Sequence, residues 1–429
     1  MGANHSHGPS VPRSRATVWA TLAVIVPLAV ATLAALVWMW PTEPVSTAEQ
    51  AKLERVTGTI AGITLTPCPQ EPPIEGQAQA ATVPADPATC GDARVLLTSG
   101  EDSGQRVTSP LPSGPGAQRF AEGDDVVLIH TTDTTLDVPP YQISDHDRST
   151  PLWLVGAAFS LAVIAFGRWR GVSALVGLAI TFVLLLMFVI PGILAGQPPL
   201  LVGIVGSAAI MLTVLYLTHG FNVTTSTAIV GTVISLSLTG LLSYAAIGLV
   251  DLNGITDESS FYLDSSYRIN TQGLLLASII IGSLGVLDDV TVTQAATVAE
   301  LAHANPGYGF AQLYRAASRV GRMHIASVIN TIVLAYAGAS LPLLLLISVG
   351  EEPVGQVVTN PVLAQEIVRS VAGTLGLISA VPITTALAAL AGARRTHSGH
   401  DHPDHDHPDH PASGARHRRP PDVLPDPVR

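Results

Sequence analysis

The stretch Gly282-Ser-Leu-Gly-Val-Leu-Asp-Asp-Val-Thr-Val-Thr-Gln294 decides how the rest of the chain is read. It lies inside an apolar run from Gly273 to Leu301, and Asp288 and Asp289 sit there side by side with no polar boundary near them. A helix entering a bilayer near Gln272 carries Asp288 about 24 Å inward at about 1.5 Å per residue. A hydrocarbon core is about 30 Å thick, so both carboxylates fall within it. Acids at that depth are costly and face a bundle interior, a partner or a water-filled path.

The composition agrees with a membrane frame around this pair. Of 429 residues, 48% are hydrophobic and 12% charged. That is about half the charge of an ordinary soluble domain. The net charge of -11 is concentrated: residues 41–150 hold 16 acids and 6 bases. Such a segment repels anions and excludes nucleic acid as a partner, since that needs a basic surface.

Working outward, Ala16–Trp40 is an apolar run too long for a signal-peptide core and reads as a first transmembrane helix behind a polar segment, residues 1–15. Residues 41–150 change character. Val56–Leu65, Arg94–Thr98 and Asp125–Thr131 alternate apolar and polar residues between Gly, Pro and Asp-rich turns, the pattern of short β-strands. A small β-rich domain, OB-like in outline, is expected. Its two cysteines, Cys68 and Cys90, could close one disulfide in an oxidising compartment, or stay as thiols. His130 and His146 are isolated and read as surface histidines.

From residue 151 to 392 the chain reads as a helix array. The expected spans are Leu152–Gly167, Gly171–Leu194, Leu200–Leu217, Val223–Val250, Gly273–Ala299, Ile325–Val349 and Ile367–Ala391, eight in all with the first helix. The fold class is therefore an all-α polytopic bundle with a small extracytoplasmic β-rich domain. All five tryptophans bracket these spans, as interfacial rings do. With the N-terminus inside, inner segments carry Arg13, Arg15, Arg168, Arg170, Arg315, Arg319, Arg322, Arg394 and Arg395, against Arg268 alone in the short outer loops. This bias places both termini in the cytoplasm and residues 41–150 outside a cell membrane.

The tail, residues 393–429, is low in complexity and expected to be disordered. His400, His402, His405, His407 and His410 alternate with Asp and Pro, a tract able to chelate transition metals weakly, or simply a solvated spacer. No cofactor is otherwise expected.

Within the spans, Asp289, Thr293, Thr297 and Glu300 share one helix face, with Asp288 beside it. If the helix breaks at Gly285, Asp288 serves only as an N-cap for the second half. If it does not, the pair can hold a proton and release it on cation binding. Asn330 adds a polar group on the next span. Glu366 and Arg369, three apart, are placed for an ion pair. Asn222 with the following Thr and Ser residues reads as a helix cap.

The runs Gly282–Leu301, Asn330–Pro342 and Glu366–Thr384, with Gly373, Gly376 and Pro382, resemble the YibE/F-like membrane proteins in their actinobacterial form. The resemblance covers roughly residues 150–392. In some members the slot matching Asp288 is Met and the acid matches Asp289, so the resemblance favours Asp289. It implies an architecture rather than an activity.

Three functions fit these residues. The first is a transporter or permease for an unidentified small solute or ion, with Asp288, Asp289, Thr293, Glu300 and Asn330 on a polar path. The second is a non-catalytic scaffold or sensor, and a homo-oligomer suits either. The third, an intramembrane enzyme, is disfavoured: the run Gly285-Val-Leu-Asp288 is not Gly-x-Gly-Asp, no Tyr-Asp occurs, and P-loop, HExxH and GxSxG are missing.

Overall fold

A computed structural model describes residues 15–42, 54–67, 90–113, 116–131, 139–349 and 354–393. The His-rich tail, Cys68 and residues 1–14 lie outside the described residues.

The β-rich segment forms one antiparallel sheet of β1 (Glu54–Leu65), β2 (Gly91–Leu97), β3 (Arg106–Pro110), β4 (Asp125–His130) and β5 (Tyr141–His146). Their order is β3-β2-β1-β4-β5. β1 is long enough to pair with both β2 and β4, and an irregularity between Ile60 and Gly62 bends it. Alternate residues, including Val56, Ile60, Val95, Leu97, Val126, Leu128 and Ile143, fill one buried face. The two edge strands meet where the Ile143 N–H donates to Ser109 Oγ at 2.9 Å. The sheet is thus a half-barrel. β3 and β5 escaped the sequence pattern because five- and six-residue strands this polar leave little alternation to detect. Cys90 is disulfide-bonded, and the sequence holds one other cysteine, Cys68.

The Tyr141 hydroxyl donates to Asp102. Burial first, and the Asp102 carboxylate second, push its ionisation up from 10.0 to about 12. The neutral phenol is favoured by folding, so its contribution is intact below the ordinary phenol value and is lost as pH rises through about 12. Alkaline unfolding of the full chain, followed by near-ultraviolet circular dichroism, should show the half-barrel weakening over that window. Tyr141→Phe should flatten the dependence.

The helices are α1 (Arg15–Trp38), α2 (Ser149–Leu184), α3 (Ile190–Leu194), α4 (Pro199–His219), α5 (Val223–Leu249), α6 (Glu258–Tyr267), α7 (Thr271–Ala304), α8 (Phe310–Ala339), α9 (Leu341–Val349), α10 (Val354–Thr359) and α11 (Pro361–Ala393). A π-helical turn, Leu185–Val189, joins α2 to α3. Among the described residues, seven continuous helical stretches are long and apolar enough to cross a membrane, where eight were expected. The difference lies in Ser149–Leu194, a single stretch of 46 residues. It turns sharply at Arg168, whose φ of 52° and ψ of -129° are not helical. A Cβ on Gly171 would collide with the Val163 carbonyl, eight residues back. In a straight helix those residues are about 12 Å apart. The two expected spans are therefore two arms of one bent helix.

Other boundaries also shift. α8 begins 15 residues before the expected Ile325, because Arg315, Arg319 and Arg322 dilute its apolar signal. It ends at Ser340, where Pro342 lacks the N–H needed to continue the ladder. α6 was not foreseen, although Asp257 and Ser260 form a capping box at its start. Trp19, Trp38, Trp153 and Trp169 are all more than two-thirds exposed, as interfacial rings require.

The centre of the bundle is made by α5, α7 and α11, with α4 and α8 on its flanks. α5 offers a seam of small residues, Thr225, Ala228, Thr232, Ser235, Thr239 and Ser243, all buried. Their spacing of three and four puts them on one face. Small residues let backbones approach closely. Gly231 of α5 receives Thr384 of α11, and Gly376 of α11 receives Thr239 of α5, each so tightly that a Cβ would collide with the threonine Oγ1.

Candidate functional site

α7 runs unbroken from Thr271 to Ala304, through Gly285. Asp288 is therefore not an N-cap, and its carboxylate needs another account. Capping does hold for Asn222, whose side chain accepts from the Thr225 N–H at 2.8 Å and starts α5.

The two adjacent acids point different ways. Asp288 turns inward to the three-helix seam, with the Thr232 side chain beside its carboxylate. Thr232 and Thr291 hydroxyls meet at 2.7 Å, which fixes the antiparallel register of α5 and α7. One turn further along, that register brings Ser235 level with Asp288. Asp288 Oδ1, Ser235 Oγ and Thr384 Oγ1 are all buried without a hydrogen-bond partner in the protein. Buried polar atoms are normally satisfied, and of these three Asp288 Oδ1 is the one carboxylate oxygen.

Below this cluster, Gln294 clamps the helices together. Its Nε2 donates to the Ala317 carbonyl of α8 at 3.0 Å and to Thr385 Oγ1 of α11 at 2.7 Å. Above it, Arg369 Nη1 donates to Glu366 Oε1 at 2.8 Å, and Arg369 Nη2 reaches Ser278 of α7 at 3.5 Å. The expected ion pair is therefore formed, and it ties α11 to α7. Arg369→Met should destabilise the protein by about 2 kcal/mol, because it strands a half-buried carboxylate. Adding Glu366→Gln should recover most of that loss in thermal unfolding of the purified protein.

The remaining expected site residues are not brought together with Asp288. Asp289, Thr293 and Glu300 are exposed on the opposite side of α7, and Asn330 is exposed on α8. Asp289 lies within electrostatic reach of His219 at the end of α4, as does Arg170. Sequence reading had favoured Asp289 over Asp288. It missed Ser235 and Thr232, whose only signal was the three-and-four spacing of small hydroxyl residues on α5, and it noted Thr384 of α11 only as a polar residue after Pro382.

The donor chemistry is oxygen alone: one carboxylate and several hydroxyls. Among the described residues no group of three His, Cys, Asp or Glu side chains could hold a metal ion. Carboxylate and hydroxyl oxygens suit a proton or a hard cation rather than a soft metal. Two narrow crevices lie elsewhere along the bundle, one at Ser283, Leu287, Tyr336 and Gly373, the other at Thr224, Thr227, Ala295 and Gly392, and neither is lined by Asp288 or Ser235. A larger cavity of about 430 Å³ lies off the seam and is lined chiefly by apolar side chains such as Met211, Leu236 and Ile280.

The description of the YibE/F-like protein family matches residues 155–394, more than half of the chain and all of the three-helix seam. This chain belongs to the YibE/F-like family. No curated protein and no solved structure matches it. With its long apolar helices, this YibE/F-like protein is a multi-pass membrane protein. The family match brings in no substrate, so any site must be read from the residues themselves.

Proposed function

We propose that this YibE/F-like protein is a transporter or permease of the cell membrane, with a proton or hard-cation site at Asp288. The observation that carries the reading is the pair of unpartnered buried oxygens, Asp288 Oδ1 and Ser235 Oγ, which the register of α5 and α7 sets at one level. Burial of an unpaired carboxylate is expensive, and such groups inside membranes mark ion and proton pathways. Asp288 is the group that takes and releases the charge. Ser235 and Thr232 offer oxygens to the bound species, and Thr291 holds Thr232 in place. Gln294 closes the seam on the arginine-rich side.

The arginine bias supports an orientation in which Arg168, Arg170 and the start of α8 face the cytoplasm. The half-barrel then stands outside, where the disulfide at Cys90 is chemically at home. The two arms of the bent helix cross as separate spans in this arrangement. Flux of protons and a panel of monovalent and divalent cations into proteoliposomes tests the reading. Gradient-driven flux that disappears in Asp288→Asn supports it. Absence of flux for every ion and solute tried, with well-folded protein, would favour the scaffold role.

A further inference from the structure

The outward face of α7 is unlike that of a helix that meets only lipid. Gly282, Gly285, Asp289, Thr293, Ala296 and Glu300 are all exposed. They recur at intervals of three and four, so they form one stripe, lying between α4 and α8. Nothing lies within 4 Å of where a Gly285 side chain would begin. Every residue of the stripe is small or polar, whereas exposed positions on α1 and α2 are dominated by Leu, Val, Phe and Trp. Small residues with a few polar groups are what membrane helices present to one another.

The neighbouring helix carries the complement. Arg315, Arg319 and Arg322 are exposed along one side of α8. Among the described residues, none of these arginines forms an ion pair with Asp289 or Glu300. The depths nevertheless agree. Gln294 bonds the carbonyl of Ala317, and Gly282 lies near Tyr336, so α7 and α8 run antiparallel with a known register. In that register Glu300 falls within about a turn of Arg315, and Asp289 within about a turn of Arg322.

We propose that the chain forms a two-fold dimer in which the acidic stripe of α7 in one copy packs against the arginine stripe of α8 in the second copy. A two-fold axis along the membrane normal preserves depth, so each residue must meet a partner at its own level. It also makes the interface isologous: α7 faces α8 of the second copy, and α8 faces α7 of the second copy. Charges matched in depth on adjacent helices satisfy both conditions. Asp289 and Glu300 are thereby each brought opposite an arginine, which a lone copy does not achieve. This inference does not depend on the transport reading.

The test is the oligomeric state of the full chain in lipid bilayers, measured by single-molecule photobleaching of singly labelled protein. Wild type should bleach in two steps, and in mild detergent its mass should be twice the 44.5 kDa of the chain. E300R and R315E should each raise the dissociation constant about tenfold or more, because each puts like charges face to face twice per dimer. The double variant E300R/R315E should restore dimerisation, which also shows that the single variants were not simply misfolded. Thr293→Cys on one tagged copy should cross-link to Arg319→Cys on a differently tagged copy. A monomeric wild type, or a dimer indifferent to both single reversals, would overturn the proposal. So would rapid labelling of Thr293→Cys in the dimer by a water-soluble maleimide, since that would make the stripe the wall of an aqueous groove.

Discussion

Gly376→Val should leave almost no folded protein in the membrane. The position faces Thr239 across the contact between α11 and α5, and even a Cβ collides there. Valine adds two further carbons against the Thr239 side chain, which already fills that space. Overpacking a well-filled interior costs about 1–3 kcal/mol, and a clash with a buried, β-branched threonine that has little room to turn aside lies at the upper end. The partner side chain sets a control. Thr239→Ala should partly rescue Gly376→Val by removing the Oγ1 and Cγ2 that the new methyls strike. Fluorescence-detected size exclusion of the two variants and their combination would show it. Gly285→Val should be mild for the folded monomer, because the space beside Gly285 is open.

Asp288→Asn should separate function from folding. The substitution keeps the size of the side chain and its hydrogen bonding to Thr232, and removes the charge. Abundance and melting temperature should be unchanged or improved, since a buried uncompensated carboxylate is a burden of several kcal/mol when ionised. Flux should fall to the level of empty liposomes. Asp289→Asn should retain flux, because that carboxylate lies on the outward stripe of α7. Ser235→Ala should keep the fold and weaken the site, reducing apparent affinity for the transported ion about tenfold, the scale of one lost charge-assisted contact. Equal loss of flux in both aspartate variants would return the weight to the adjacent pair acting together.

Much of the fold could be read from the order of residues, for identifiable reasons. Long apolar runs bounded by arginine and tryptophan gave the spans, since the bilayer imposes a length that little else in a protein does. The bend at Arg168 was foreseen as a gap between two spans, and its structure as a sharp turn within one helical stretch was not. No proline marks it; the turn rests on Arg168 backbone geometry and on Gly171 fitting against Val163. The site was legible only in part. Two acids in an apolar run announced themselves, but which one turned inward depended on how α5 and α11 dock. A change of one residue rotates a side chain by about 100° around a helix, so Asp288 and Asp289 had opposite fates that composition could not separate. The hydroxyl seam of α5 beyond its capped start drew no reading, and Ser235 stands out only once the packed helices leave its hydroxyl without a partner.

The central claim, that Asp288 takes up and releases charge, is tested most directly by difference infrared spectroscopy on the reconstituted protein. Spectra recorded across a pH series, with and without added cations, report the protonated carboxyl band and its conversion to carboxylate. A titrating band that is absent in Asp288→Asn, present in Asp289→Asn and displaced by the transported cation is the predicted result. A band that survives in Asp288→Asn, or no change at Asp288 under any pH or cation tried, would contradict the claim.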